Sequence, residues 1–174
     1  GTNETGTITN CSNSLNMSGE QAGGICGRIV GNTTISYCWN EGDISKKSGG
    51  ICGSAAGKSG LVTINYCYNT GDFGGIDAGG ICGRNASYVN IFNCYNTGTI
   101  SSDTYNTGIG GIVGQAGGSN SKVTNIYNCY SSPGTSDYWG GDNTGGIAAS
   151  KSGTLNVYNS YYVYGNDDRD IYGK

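Results

Sequence analysis

Histidine is absent from the 174 residues, proline occurs once, and charged residues make up 12% of the chain. Each scarcity removes a class of protein. Without histidine there is no Ser-His-Asp or Cys-His arrangement and no HExxH zinc motif, and the commonest general base is gone. Nine Lys and Arg against twelve Asp and Glu leave a net charge of −3. No basic surface exists to attract nucleic acid or an anionic membrane. Apolar runs are short, and none approaches the 18 residues of a membrane-spanning helix. No segment offers ten residues of helical periodicity without glycine. The chain shows no initiator Met or signal peptide and reads as a mature fragment of something longer.

What the chain does contain is a repeat. Gly-Gly-Ile-Cys-Gly occurs at Gly23–Gly27, Gly49–Gly53 and Gly79–Gly83, and degrades to GGIVG at Gly110–Gly114 and GGIAA at Gly145–Ala149. A second phrase alternates with it: SYCWNEGDI at Ser36–Ile44, NYCYNTGDF at Asn65–Phe73 and FNCYNTGTI at Phe92–Ile100. It fades to YNCYSS at Tyr127–Ser132 and YNSYY at Tyr158–Tyr162, with a forerunner, TITNCSN, at Thr7–Asn13. The Gly-Gly starts are separated by 26, 30, 31 and 35 residues, a period that belongs to solenoids and propellers. Glycine is extreme at 34 residues, yet the regular return of Ile, Tyr and Cys argues against disorder.

The apolar runs, such as Leu61–Ile64, Val89–Phe92, Val123–Tyr127 and Leu155–Tyr158, are β-branched and aromatic and are bounded by Gly, Asn and Ser, which predicts strands. A unit of two or three short strands cannot bury its own apolar face, whereas stacked units can, at about 4.8 Å per coil. The expected fold is therefore all-β: a parallel β-solenoid of five to six coils forming one domain over 1–174. The repeats fill about 5–162, and a cap or tail follows over 163–174. Like residues then sit above like. The predicted ladders are Ile25, Ile51, Ile81, Ile112, Ile147; Ile35, Ile64, Ile91, Ile126, Val157; Trp39, Tyr68, Tyr95, Tyr130, Tyr161; and Asn40, Asn69, Asn96. A β-propeller would need longer units with four strands per blade.

Gly-Gly-Ile-(Cys/Val)-Gly, a variable stretch, then Ile-x-x-Cys-Tyr-Asn-Thr-Gly-(Asp/Thr)-(Ile/Phe) resembles the GLUG repeat over about residues 5–162. That family occurs in large secreted or wall-attached bacterial proteins, adhesin-like ones among them. The resemblance implies a right-handed solenoid on the bacterial surface and brings no catalytic signature with it.

Eight cysteines in an exported chain raise the question of disulfides. Pairing within units (Cys26–Cys38, Cys52–Cys67, Cys82–Cys94) strands Cys11 and Cys129 at opposite ends of the stack. The other register (Cys11–Cys26, Cys38–Cys52, Cys67–Cys82, Cys94–Cys129) places every cysteine. The alternative is two ladders of buried free thiols: Cys26, Cys52, Cys82, and Cys11, Cys38, Cys67, Cys94, Cys129. The replacements in decayed copies, Val113, Ala148 and Ser160, are small residues and favour the ladders. Without a CxxC pair or a histidine, no zinc site is expected.

Other motifs carry little chemistry. Gly57-Lys58-Ser59 resembles the end of a phosphate-binding loop, but Cys52 stands where the loop needs glycine. Asp43 and Asp72 occupy equivalent places in successive units and are expected at a solvated corner. The cluster Asp167-Asp168-Arg169-Asp170 reads as a solvated tail and lacks the spacing of a calcium loop. Tyr138 and Trp139, in the longest insertion, are the candidate ligand contacts, able to stack on a sugar or anchor a partner.

The expected function is a non-catalytic structural or adhesive module of an extracellular or cell-surface bacterial protein. It would be a rigid spacer or stalk needing no cofactor, presenting loops to a host or polymer ligand, carbohydrate or protein, and serving other domains of its parent. The alternative is a carbohydrate-binding or polysaccharide-cleaving solenoid. Ice binding fits less well, because Thr70, Thr97 and Thr99 do not extend over all coils. Thiol titration in denaturant without reductant separates the cysteine readings. Eight reactive thiols are expected, and two or none would establish a disulfide framework.

Overall fold

The computed structural model describes residues 5–29, 31–45, 47–54, 60–84, 88–101, 108–117, 121–134 and 144–163. Its strands follow the repeat. The first coil holds β1 (Thr5–Thr9) and β2 (Ser12–Asn13), and the second β3 (Asn32–Ser36) and β4 (Trp39–Asn40). The third has β5 (Val62–Asn65), β6 (Tyr68–Asn69) and β7 (Phe73–Gly74), and the fourth β8 (Val89–Phe92), β9 (Tyr95–Asn96) and β10 (Ile100–Ser101). Then come β11 (Val113–Ala116), β12 (Val123–Tyr127), β13 (Tyr130–Ser131), β14 (Ala148–Lys151), β15 (Thr154–Tyr158) and β16 (Tyr161–Tyr162).

Every pairing between strands is parallel and joins successive coils. One six-stranded sheet runs β1-β3-β5-β8-β12-β15 and another runs β2-β4-β6-β9-β13-β16. A third face is the Gly-Gly-Ile-Cys phrase, whose bridges Gly23↔Gly49↔Gly79↔Gly110↔Gly145 give five rungs. The fourth carries Met17, Ile44, Phe73 and Ile100 in four rungs. Four successive coils thus have all four faces. The chain is an all-β parallel solenoid, as the period predicts, with two of its sheets reaching the sixth rung.

The predicted ladders are in register. Ile8, Ile35, Ile64, Ile91, Ile126 and Val157 face one another across the long-strand sheet. Ile51, Ile81, Ile112 and Ile147 line the opposing face, and all four are fully buried. These two rows form the main core with the cysteines. A smaller core gathers Ile44, Phe73, Ala78, Ile100 and Ile109 beneath the fourth face. Backbone bonds run from coil to coil on every face. The N–H groups of Ile25, Ile51, Ile81 and Ile112 reach the equivalent carbonyl one coil on, at 3.2, 3.1, 2.9 and 2.9 Å.

The asparagine ladder explains half of each Gly-Gly pair. Asn13 Nδ2 donates to Asn40 Oδ1, Asn40 to Asn69 and Asn69 to Asn96, at 2.7, 2.7 and 2.8 Å. Asn40 and Asn69 also donate to the carbonyls of Gly42 and Gly71, closing the local turn. These buried amides occupy the space where the second glycine of each pair would carry a side chain. A Cβ on Gly50 would meet the Gly80 carbonyl and lie 2.6 Å from Asn69 Cγ. Gly24, Gly80 and Gly111 face Asn40, Asn96 and Ser131 in the same way. Where the ladder changes from Asn to Ser, Asn96 Nδ2 and Ser131 Oγ are left buried without a protein partner.

Gly50→Ala is expected to destabilise the fold by about 3 kcal/mol, because backbone and a locked amide both resist the added methyl. Gly19→Ala, with nothing within 4 Å of its Cβ, should shift stability by less than about 0.5 kcal/mol. Urea unfolding of both variants checks the pair, and similar midpoints would disprove the steric assignment.

Candidate functional surface

The two cysteine ladders are in place, and they differ in chemistry. All eight cysteines are free thiols, and the thiol neighbours are equivalent cysteines of successive coils. Neither register that pairs a cysteine of one phrase with one of the other is formed. In the longer ladder each buried sulfur donates to the carbonyl two residues back: Cys38 to Ser36, Cys67 to Asn65, Cys94 to Phe92 and Cys129 to Tyr127, at 3.1–3.3 Å. Ser160 keeps that bond, its Oγ 2.9 Å from the Tyr158 carbonyl. It also accepts the Cys129 N–H at 3.0 Å. This position selects a small donor, so its decay product is serine.

The Gly-Gly-Ile-Cys ladder has no such anchor. Cys26, Cys52 and Cys82 bridge in line and give way to Val113 on the next coil. Cys52 reaches only a distant carbonyl, that of Gly27 at 4.0 Å. The position asks for a small apolar side chain, and its decay products are valine and alanine. Cys52 and Cys82 are fully buried, whereas Cys26 on the first rung is half-buried. The neighbouring Cys52 thiol lowers the Cys26 pKa to about 7. The thiols of Cys26 and Cys82 on either side, together with burial, hold the Cys52 thiol well above its ordinary value.

The carboxylates at the solvated corner turn out to be structural. Asp43 accepts the Asp72 N–H at 3.1 Å, and Asp72 accepts the Thr99 N–H at 2.9 Å. Asn16 begins the series by accepting the Asp43 N–H at 3.0 Å. Both aspartates are exposed, which lets like charges sit on adjacent coils. Asp77 was not visible as special in the sequence. It is half-buried, with Arg84 Nε 3.1 Å away. Burial raises its carboxyl above the usual range, opposed by Arg84 and Lys47. Arg84 also reaches Gln115 at 3.4 Å, so this cluster ties two coils together.

The aromatic residues gather at one corner. The residue after each long strand adopts a left-handed conformation: Asn10, Tyr37, Tyr66, Asn93, Asn128 and Asn159, with φ between 46° and 55°. Asparagine tolerates this region, but tyrosine does not favour it. Tyr37 and Tyr66 offset the strain by stacking, with centroids 5.2 Å apart and rings 6° from parallel, and they stay 55% and 49% exposed. Beside them run Trp39, Tyr68 and Tyr95, stacked at 6.0 and 4.8 Å. Phe92, Tyr127 and Tyr158 form another stack at 5.2 and 4.9 Å. Stacked rings cover one another's faces and offer solvent their edges. The step at the second coil is different: Trp39 pairs with Ser12 of the first coil, and Tyr37 follows above Asn10. No ring of the described residues covers that face of either aromatic.

Tyr138, Trp139 and the acidic cluster Asp167–Asp170 lie outside the described residues. Among the described residues no group of three or more His, Cys, Asp or Glu side chains is arranged to hold a metal ion. No family model, curated protein or solved structure matches the chain. The class of protein is therefore defined by the fold alone: a β-solenoid repeat protein.

The difference between the ladders predicts opposite responses to one substitution. Cys94→Ser should cost less than about 1 kcal/mol, because the hydroxyl keeps the bond to the Phe92 carbonyl. Cys82→Ser should cost about 1–3 kcal/mol, since it buries a hydroxyl with no backbone acceptor. Denaturation midpoints of the two variants check this, and equal losses would contradict it.

Proposed function

We propose that the chain is a non-catalytic structural module of the GLUG-repeat kind in a bacterial secreted or cell-surface protein, acting as a rigid spacer or ligand-presenting stalk. The observation that carries this reading is the use to which the repeated polar side chains are put. The buried asparagines bond to one another, the longer cysteine ladder bonds to backbone carbonyls, and the corner aspartates accept N–H groups from the next coil. Side chains that close a stack are unavailable as acids, bases or nucleophiles. Rigidity follows from backbone bonds on every face. The segments that vary between repeats are left to meet a ligand or partner, and Tyr138 and Trp139 belong to the longest of them.

The step formed by Tyr37 and Trp39 favours a second reading, carbohydrate binding without cleavage. Flat aromatic faces suit the C–H face of a sugar ring. Both readings are tested with the same protein. Incubated with a panel of bacterial and host polysaccharides, it is expected to release no reducing ends. Turnover that disappears in Asp72→Asn would overturn the non-catalytic reading. On a glycan array, binding weakened about tenfold or more by Trp39→Ala would support the second reading, a loss of about 1.4 kcal/mol. Binding indifferent to Trp39 and Tyr37 would remove it.

A further inference from the structure

We propose that Tyr37 and Tyr66 are a cross-linking site, at which a one-electron oxidant of the peroxidase class joins the two rings by a carbon–carbon bond and staples the second coil to the third. The ring centroids are 5.2 Å apart and the planes 6° from parallel. The residues follow Ser36 and Asn65, which pair in register, so equivalent ring atoms stand opposite one another. Both side chains are half exposed, which opens their edges to an oxidant.

Three observations separate this pair from the other stacked tyrosines. The corner series reads Asn10, Tyr37, Tyr66, Asn93, so the flanking residue on each side is asparagine. The Asn93 amide is itself held by Asn65 and Asn128, at 3.1 and 3.2 Å. Tyr68, by contrast, is stacked between Trp39 and Tyr95, and Tyr127 between Phe92 and Tyr158. Coupling requires each ring to turn about its Cβ–Cγ bond, which brings the carbons beside the two phenol oxygens together. A ring stacked on both faces resists that turn. Next, Tyr130 and Tyr161 are tilted by 48°, out of the alignment that sets equivalent edges opposite one another. Finally, tyrosine is a costly choice at this corner. Tyr37 and Tyr66 have φ of 55° and 52°, whereas the other four coils place asparagine there. The strained residue is kept on two adjacent coils, where it makes a pair.

The step balances as follows. Each phenol gives one electron and its O–H proton to the oxidant, so one hydrogen peroxide, reduced through the peroxidase to two waters, leaves two phenoxyl radicals. Their unpaired electrons are shared with the carbons ortho to oxygen and pair there as the new C–C bond. Each of those carbons then loses its proton while the oxygen of the same ring regains one, which restores both aromatic rings and both phenols. The product is lighter by two hydrogen atoms. By closing a loop between coils, the link restricts the unfolded chain.

The test uses the whole folded chain, dilute, with its accessible thiols alkylated beforehand so that they do not consume radicals. It is treated with a haem peroxidase and one equivalent of hydrogen peroxide, digested, and mapped by peptide fragmentation. A Tyr37–Tyr66 link within one molecule is expected, with dityrosine fluorescence. Tyr66→Phe keeps a ring in the stack and removes the phenol, so the link and its fluorescence should be lost. Tyr127→Phe should leave the yield unchanged. In urea, where the stack is gone, links should scatter over the 14 tyrosines. No link, links formed only between molecules, or a preference for Tyr68–Tyr95, Tyr127–Tyr158 or Tyr130–Tyr161 would each overturn the proposal. So would undiminished fluorescence in Tyr66→Phe, or the same selectivity in urea. Mapping of the unaltered chain decides the matter even if a variant fails to fold.

Discussion

A residue in this protein has its own equivalent for a neighbour. Parallel, in-register pairing sets each side chain about 4.8 Å from the same position one coil away, and everything else follows from which side chains tolerate that. Isoleucine packs on isoleucine, and aromatic rings stack. An asparagine amide is donor and acceptor at once and so can bond to a copy of itself without end. Charges cannot, because like charges would meet at every rung. This accounts for a chain with only 12% charged residues. Asp43 and Asp72, stacked yet exposed, survive because solvent screens them and each carboxylate accepts a backbone N–H.

The same constraint made the fold legible before any coordinates. The Gly-Gly spacing gives the coil, and the Ile, aromatic and Asn series give the register, which the strand pairs reproduce residue for residue. The way the copies decay is legible only with the structure. Valine, alanine and serine all look like small replacements for cysteine. The hydrogen bonds separate them: Ser160 preserves a donor to a carbonyl, whereas Val113 and Ala148 fill apolar space. The second glycine of each pair is likewise explained by a residue far from it in sequence, the asparagine one coil on. At the last rung that place is taken by Tyr162, whose ring stands where a Cβ on Gly146 would go.

Two features gave no warning in the sequence. The left-handed corner residue is Asn on four coils and Tyr on two, and nothing in a row of Tyr-Cys and Asn-Cys phrases marks it as a strained position until the backbone is seen. Asp77 lies outside both repeated phrases, and its ion pair with Arg84 joins two residues that flank Gly79–Gly83. The first recurs on every coil but is carried by two residue types, and the second occurs once. A pattern argument is informative about positions that recur, and blind to contacts made once.

That division also bears on function. Inside a ladder, a chemically capable group is spent: Asn69 on Asn40 and Asn96, Cys67 on the Asn65 carbonyl, Tyr68 between Trp39 and Tyr95. At the first member of a ladder one side is left open. Trp39 and Tyr37 present a ring face there because Ser12 and Asn10 precede them on the first coil. A stack of near-identical coils therefore has few sites. They arise where the series starts or changes, which is why the phrases most conspicuous in the sequence are the least available for chemistry.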